Sequence, residues 1–264
     1  MVIGFIGLGN MASAMIGGIL GNGLAAPEEI LGSARTKETC ERIKKEYEIE
    51  TTTDNVMVAS NADILFLAVK PQMFPEVLSP IAGVVKKDAL IVSIAAGRSL
   101  KTMKEIFGQN AKLIRLMPNT PALVNEGCTA VCPNENVSQT DLEKVLKICR
   151  SFGTAEVIPE RLIDAFSAVA GCSPAYVFMF IEALADAGVK AGIPRDKAYR
   201  FASQAVLGSA KLQLATGKHP GELKDMVCSP GGTTIEAVQV LENMGLRAAV
   251  MEAVEAAVEK AKRI

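Results

Sequence analysis

The chain of 264 residues has no tryptophan, a single histidine and an aromatic content of only 5%. So few aromatics leave no stacking platform for single-stranded nucleic acid. A formal net charge of −1 removes the basic footprint that nucleic-acid binding needs. With His219 as the one histidine, a serine–histidine triad has little to build on, and its place before Pro220 in a turn suits a structural role. The cysteines at 40, 128, 132, 149, 172 and 228 are scattered; Cys128 and Cys132 have no second ligand pair nearby, and no metal site is expected. Free thiols and no secretion signal fit a reducing cytoplasm. The apolar stretch from Met1 to Leu24 contains no Lys or Arg, and the first basic residue is Arg35. It lacks the basic start of a leader peptide, and Gly4, Gly7, Gly9, Gly17, Gly18, Gly21 and Gly23 interrupt it, so neither a leader nor a membrane span is expected.

What is present begins at once. Val2 to Ile6 is a short apolar run that suits a buried parallel strand. Gly7-x-Gly9-x-x-Ala12 follows, and an apolar run of helical spacing opens behind it. In a strand–turn–helix of this kind the first glycine permits the turn and the second lets a pyrophosphate approach the backbone. The small third residue allows close helix–strand packing, and the helix start offers free N–H groups to an anion.

The second strand, Ile30 to Ala34, leads into Arg35-Thr36-Lys37. A site for NAD would place an acid there to accept from the ribose 2′-hydroxyl. No acid is present; Ser33 and Thr36 can donate, and Arg35 and Lys37 are positive. A 2′-phosphate is the natural guest, which favours NADPH, with NADH also possible. Further strands are expected at Ile49–Thr53, from Asp63 to Lys70, Leu90–Ile94, Lys112–Met117, Cys128–Cys132 and Ala155–Ile158. Helices are expected between them, including Thr39–Tyr47, Phe74–Val84, Leu100–Phe107 and Thr140–Phe152. This alternation predicts an α/β, doubly wound parallel sheet. Lys70 falls at a strand end, where open α/β sheets bind ligands, and the small residues Ala95, Ala96 and Gly97 leave room for a ring.

From Arg161 onward no strand is expected. Leu162–Ala191 is a long, nearly uncharged helical tract dented at Gly171 and Pro174, followed by helices at Pro194–Ala215, Pro220–Val227, Thr233–Leu241 and Gly245–Lys262. The chain therefore divides into a dinucleotide-binding half, 1–160, and a helical half, 161–264. Helices apolar on most sides need cover on most sides, which predicts a dimer of interlocked helical halves.

A dinucleotide sheet implies hydride transfer. In the helical half, Ser229-Pro-Gly-Gly-Thr-Thr-Ile235 places a glycine turn before a helix whose first turn carries Thr233 and Thr234. Such a start suits a carboxylate, and equally suits an ordinary helix cap. Together with Phe5–Met11, Phe66–Pro71, Ala95–Gly97, Met117–Pro121, Gly171–Tyr176, His219–Gly221 and Leu223–Asp225, this block resembles the pyrroline-5-carboxylate reductase family over essentially the whole chain. The resemblance implies reduction of the cyclic imine Δ1-pyrroline-5-carboxylate to L-proline by NAD(P)H, and a dimer often assembled into decamers. It places cofactor contacts on Ile6, Gly7, Leu8, Gly9, Asn10, Met11, Ser33, Asn55, Ala68, Val69, Lys70, Pro71, Ala95, Ala96 and Gly97, to which the charge of Arg35 is added. Substrate contacts fall on Glu160, Ser229, Gly231, Gly232, Thr233 and Thr234, with Thr234 the catalytic candidate. A β-hydroxyacid dehydrogenase is the rival enzyme, but Gly171–Glu182 lacks the lysine that group needs, and Lys190 lacks an Asn partner. A non-catalytic NADP sensor is the rival from another class.

Overall fold

A computed structural model describes residues 1–263. In chain order the elements are β1 (Ile3–Ile6), α1 (Asn10–Gly21), β2 (Ile30–Ser33), α2 (Lys37–Tyr47), β3 (Glu50–Thr52), α3 (Asn55–Asn61), β4 (Ile64–Leu67), α4 (Phe74–Leu78), β5 (Leu90–Ser93), α5 (Leu100–Phe107), β6 (Lys112–Met117), β7 (Gly127–Pro133), α6 (Gln139–Arg150) and β8 (Gly153–Val157). The helical part follows as α7 (Ile163–Phe166), a π turn over Ser167–Cys172, α8 (Ser173–Lys190), α9 (Arg195–Thr216), α10 (Pro220–Val227), α11 (Thr233–Asn243) and α12 (Leu246–Ala261). The chain forms two compact units, one of Met1–Gly171 with the end of the chain from Val258, the other of Cys172–Ala257.

The first unit holds one eight-stranded sheet in the order β3-β2-β1-β4-β5-β6-β7-β8. Every residue of β1, β2, β4 and β5 is buried, as continuous apolar strands covered on both faces must be. Alternation along the strands sorts the side chains into two layers. Phe5, Phe66, Val92 and Ile114 join Ile16 and Ile19 of α1 and Val145 and Ile148 of α6. Ile6, Leu65, Leu67, Ile91 and Leu113 join Val58 of α3, Leu78 of α4 and Met103 of α5. The rings of Phe5 and Phe66 stack across neighbouring strands with centroids 4.8 Å apart. Helix starts are fixed locally: Asp54 Oδ1 accepts from Val56 and Met57 N–H at the head of α3, and Ser99 and Ser138 cap α5 and α6.

Two expectations need correction. The sheet is mixed: β7 pairs antiparallel with β6, and β8 runs parallel to β7. Alternation of strands and helices does not report direction, and the short connection from Met117 to Gly127 contains no crossover helix. The helix expected over Phe74–Val84 stops at Leu78, two residues before Pro80, and continues as turns on the Leu78 carbonyl, which accepts from Ile81 and Ala82.

The second unit is wholly helical. Its three buried residues are Ala185, Ala198 and Ala202, where α8 and α9 pack with Ile181, Val189 and Ile193 beside them. Helices α10, α11 and α12 bury no residue. Phe178, Met179 and Leu214 are 64%, 69% and 80% exposed. By length and composition alone, the 31-residue helical run Glu160–Lys190 is long and apolar enough to cross a membrane.

Candidate active site

Parallel register aligns the carboxyl ends of four strands. Ile6 of β1 pairs with Ser33 of β2 and Leu67 of β4, and Leu67 pairs with Ser93 of β5. Chain order reverses between β1 and β4, so this edge is the switch point at which open α/β sheets bind ligands. The segments that follow these ends are those singled out in the sequence: Gly7 to Met11, Ala34 to Lys37, Ala68 to Pro71 and Ile94 to Gly97.

The first turn is built for close backbone approach. Gly7 has φ +97°, and a Cβ there would lie 2.7 Å from the Ala68 carbonyl oxygen. Its N–H donates to the Ser33 carbonyl at 2.9 Å, and Ala68 N–H donates to Ile6 at 2.8 Å, which draws the three strand ends together. Gly9 heads α1 with no side-chain cap, and the first turn of α1 carries no acid. A Cβ on Gly9 would meet nothing within 4 Å. Unpartnered N–H groups beside open space are what a pyrophosphate requires, so the residues present fit a dinucleotide. Leu8 is buried in the core, Asn10 is exposed and Met11 is half-buried.

At the end of β2 both hydroxyls expected to donate to a ligand have partners within the protein, and that of Ser33 is turned inward. Ser33 is fully buried, and its Oγ donates to Asn55 Oδ1 at 2.7 Å, so those two candidates are brought together as a pair. Thr36 caps α2 by accepting from Thr39 N–H. Arg35 and Lys37 stand exposed beside them and carry the positive charge. At the next two strand ends, Lys70 and Ala96 are exposed, Val69 and Pro71 half-buried and Ala95 buried, and Gly97 has φ +69°. Ala95 N–H donates to Ser93 Oγ at 3.3 Å. Sequence reasoning missed Arg98, which ties these two segments: its Nη2 donates to the Pro71 carbonyl at 2.8 Å, and its guanidinium lies 5.7 Å from the Phe74 ring centroid. It missed Arg115 as well, although a lone arginine inside the apolar strand Lys112–Met117 was a signal. Glu160 lies in this unit, where its Oε1 accepts from Leu100 N–H at 2.8 Å and from Arg115 Nη1 at 3.0 Å. Burial pushes the Cys132 thiol up to about 11 and the Cys149 thiol up to about 12, which leaves neither as a nucleophile near neutral pH.

In the helical unit, Gly231 takes φ +67° and Gly232 heads α11 without a side-chain cap. Gly232 N–H donates to the Ser229 carbonyl at 3.0 Å, closing the turn. A Cβ on Gly232 would collide with Ser229 Oγ, so glycine lets that hydroxyl lie against the helix start. Thr233 is exposed and Thr234 half-buried in the first turn. The turn therefore brings Ser229, Gly231, Gly232, Thr233 and Thr234 together at the uncapped start of α11. His219 caps α10, its Nδ1 accepting from Gly221 N–H at 3.1 Å.

Known proteins match this chain in sequence and in fold. Residues 160–264 match the family described as pyrroline-5-carboxylate reductase dimerisation, and residues 2–97 match the description NADP oxidoreductase, coenzyme F420-dependent. A pyrroline-5-carboxylate reductase of Escherichia coli is 52% identical, over 99% of this chain and 97% of its own. The solved pyrroline-5-carboxylate reductase of Coxiella burnetii superposes with a TM-score of 0.93 at 34% identity, covering 99% of this chain and 97% of that one. The pyrroline carboxylate reductase of Plasmodium falciparum, solved with NADP bound, gives 0.90 at 36% identity, covering 100% and 97%. A glycine turn on an open α/β sheet, an uncapped helix start in a helical unit and full-length identity at this level lead to one statement: the chain belongs to the pyrroline-5-carboxylate reductase family.

Proposed function

We propose that this chain reduces Δ1-pyrroline-5-carboxylate to L-proline at the expense of NAD(P)H, the last step of proline biosynthesis. The observation that carries the reading is 52% identity over the whole chain to a relative of that name. Bound NADPH supplies a hydride to the imine carbon, and the ring nitrogen takes up a proton. The protein's part is to bind, orient and exclude alternatives.

Ile6 to Met11 hold the pyrophosphate on free N–H groups. Arg35 meets the 2′-phosphate beside the Ser33–Asn55 pair. Ala68 to Pro71 and Ala95 to Gly97 flank the remainder of the cofactor. NADPH is favoured by the charge at Arg35, with NADH accepted more weakly. The turn Ser229–Thr234 clamps the substrate carboxylate, and Glu160 is a further substrate contact. Thr234 Oγ1 hydrogen-bonds the ring nitrogen as imine becomes amine; a neutral hydroxyl can donate or accept, so it follows that change without titrating. A cyclic imine needs no separate activation step, which agrees with the lack of a histidine pair in the sequence.

Residues 161–264 form the dimerisation half, and the exposed apolar helices are read as faces covered by a second copy in a homodimer. Further assembly into a decamer follows the resemblance, and a cytoplasmic location follows the six scattered free cysteines. The test is loss of NADPH absorbance on adding the imine, with proline identified as product. Turnover of a hydroxyacid in its place would favour the dehydrogenase reading, and NADPH binding without turnover the sensor. Arg35→Asp should raise the KM for NADPH about tenfold and spare that for NADH.

A further inference from the structure

Arg115 is 6% exposed and has no part in the reaction as described so far. It pairs in register with Ser93, the last residue of β5, from which the segment carrying Ala95–Gly97 departs. Its Nη1 donates to Glu160 Oε1 at 3.0 Å, while its Nε is buried without a partner. A guanidinium so placed holds its carboxylate firmly, because separating them would strand a charge in a medium that solvates it poorly. The same Glu160 oxygen accepts from the N–H of Leu100, the first residue of α5. That N–H is one of those a helix start leaves unpaired, and negative charge is favoured there. The segment 94–99 is therefore anchored at its beginning by the pairing of Ser93 with Arg115, and at its end by Glu160, which Arg115 holds. Arg98, inside it, fastens the segment to the Pro71 carbonyl.

We propose that Arg115 is a positioning residue for the dinucleotide: through Glu160 it fixes the start of α5 and so the Ala95–Gly97 segment. The inference rests on the reading of that segment as a cofactor contact. It also gives Glu160 a task in the cofactor half beside the substrate contact assigned above.

The experiment uses the full chain and titrates NADPH directly, with thermal unfolding and steady-state kinetics alongside. Arg115→Met keeps length and apolar volume and removes the charge. Its Kd for NADPH should rise about tenfold, the order expected of one charge-assisted hydrogen bond, and Arg115→Lys should recover most of the loss. A second pair avoids the buried charge. Leu100→Pro deletes the N–H at a first helical position, where proline is tolerated, and the extended Ser99 at ψ 161° accepts a following proline. Leu100→Ala trims the same side chain and keeps the N–H. The proline variant should bind NADPH about tenfold more weakly than the alanine variant at similar Tm. If the unaltered chain takes up no NADPH, the cofactor reading falls and this inference with it. If the unaltered chain binds but Leu100→Pro and Leu100→Ala bind alike, the positioning role alone is overturned. A rise confined to the KM for the imine would also overturn it, by assigning the pair to substrate.

Discussion

The two units of this chain answer the same requirement differently. In the first, β1, β2, β4 and β5 are buried at every residue, with helices supplied on both faces. In the second, three alanines are buried, α10 to α12 bury nothing, and Phe178, Leu214 and Met244 are 64%, 80% and 81% exposed. Both halves are rich in apolar residues. An apolar pattern states that cover is needed and is silent on where the cover comes from. The first unit brings its own, whereas the second leaves its apolar helices for another surface to complete.

The contrast breaks most decisively through the exposed helices. Phe178→Glu combined with Leu214→Glu would place unpaired charge on surfaces read here as buried in a dimer. Self-association should weaken by at least about a hundredfold, since one uncompensated buried charge costs about 3–5 kcal/mol. Light scattering over a dilution series checks this, and an unchanged dimer would locate the interface elsewhere.

Gly9→Val sharpens the other side. A Cβ there meets nothing within 4 Å, so Tm should fall by no more than the small cost of a poorer helix N-cap. It fills the room a pyrophosphate needs, so NADPH affinity should fall about a hundredfold. Gly7→Ala should do the reverse damage and lower Tm, because its Cβ would press on the Ala68 carbonyl at a positive φ. Calorimetry with NADPH titration separates the two.

Thr234→Ala tests the helical unit's part in the chemistry. Loss of one hydrogen bond to a charged partner, about 1.5–3 kcal/mol, should lower kcat by roughly ten- to a hundredfold. NADPH affinity should barely move, and Thr234→Ser should keep much of the rate. Full turnover in Thr234→Ala would hand the proton side to another group.

The smallest effect belongs to the surface of the first unit. Hydrogen bonds from Lys112 and Lys144 hold the Asp141 carboxyl down at about 2. Its contribution to stability is present above the ordinary carboxylate range and is lost as pH falls from about 4 through about 2. Asp141→Asn should lower Tm at neutral pH by about 2–4 °C, and the difference should shrink to nothing in that acid window. A difference that persists at pH 2 would mean that packing rather than charge accounts for it.

Much of this was legible in the sequence because it is local. Val2 to Ile6 followed by Gly7-x-Gly9 specifies a strand, a turn and an uncapped helix, and Pro-Gly-Gly-Thr-Thr specifies the turn before α11. The direction of β7 was not legible, since strand periodicity is the same in parallel and antiparallel pairing. Nor was the inward turn of Ser33, whose partner Asn55 lies 22 residues away. Arg115 and Glu160, 45 residues apart, meet only because the sheet sets β6, β7 and β8 in succession and brings the chain after β8 within reach of the Arg115 side chain. Pairings across such distances are set by the sheet, and no local window contains both partners.

The margins of the sheet have a consequence for life in a crowded solution. One edge is β3, three residues long and made of Glu50, Thr51 and Thr52; the other is β8, with Glu156 exposed in it and Gly153 at its head. Free strand edges are templates on which further strands can add without limit, and short, charged or glycine-headed edges discourage that growth. A chain whose helices must find a partner is at risk of finding the wrong kind of contact first. With both edges blunted, strand-to-strand accretion is disfavoured, and encounters between copies are channelled towards the helices, where a pairwise contact can close on itself and stop.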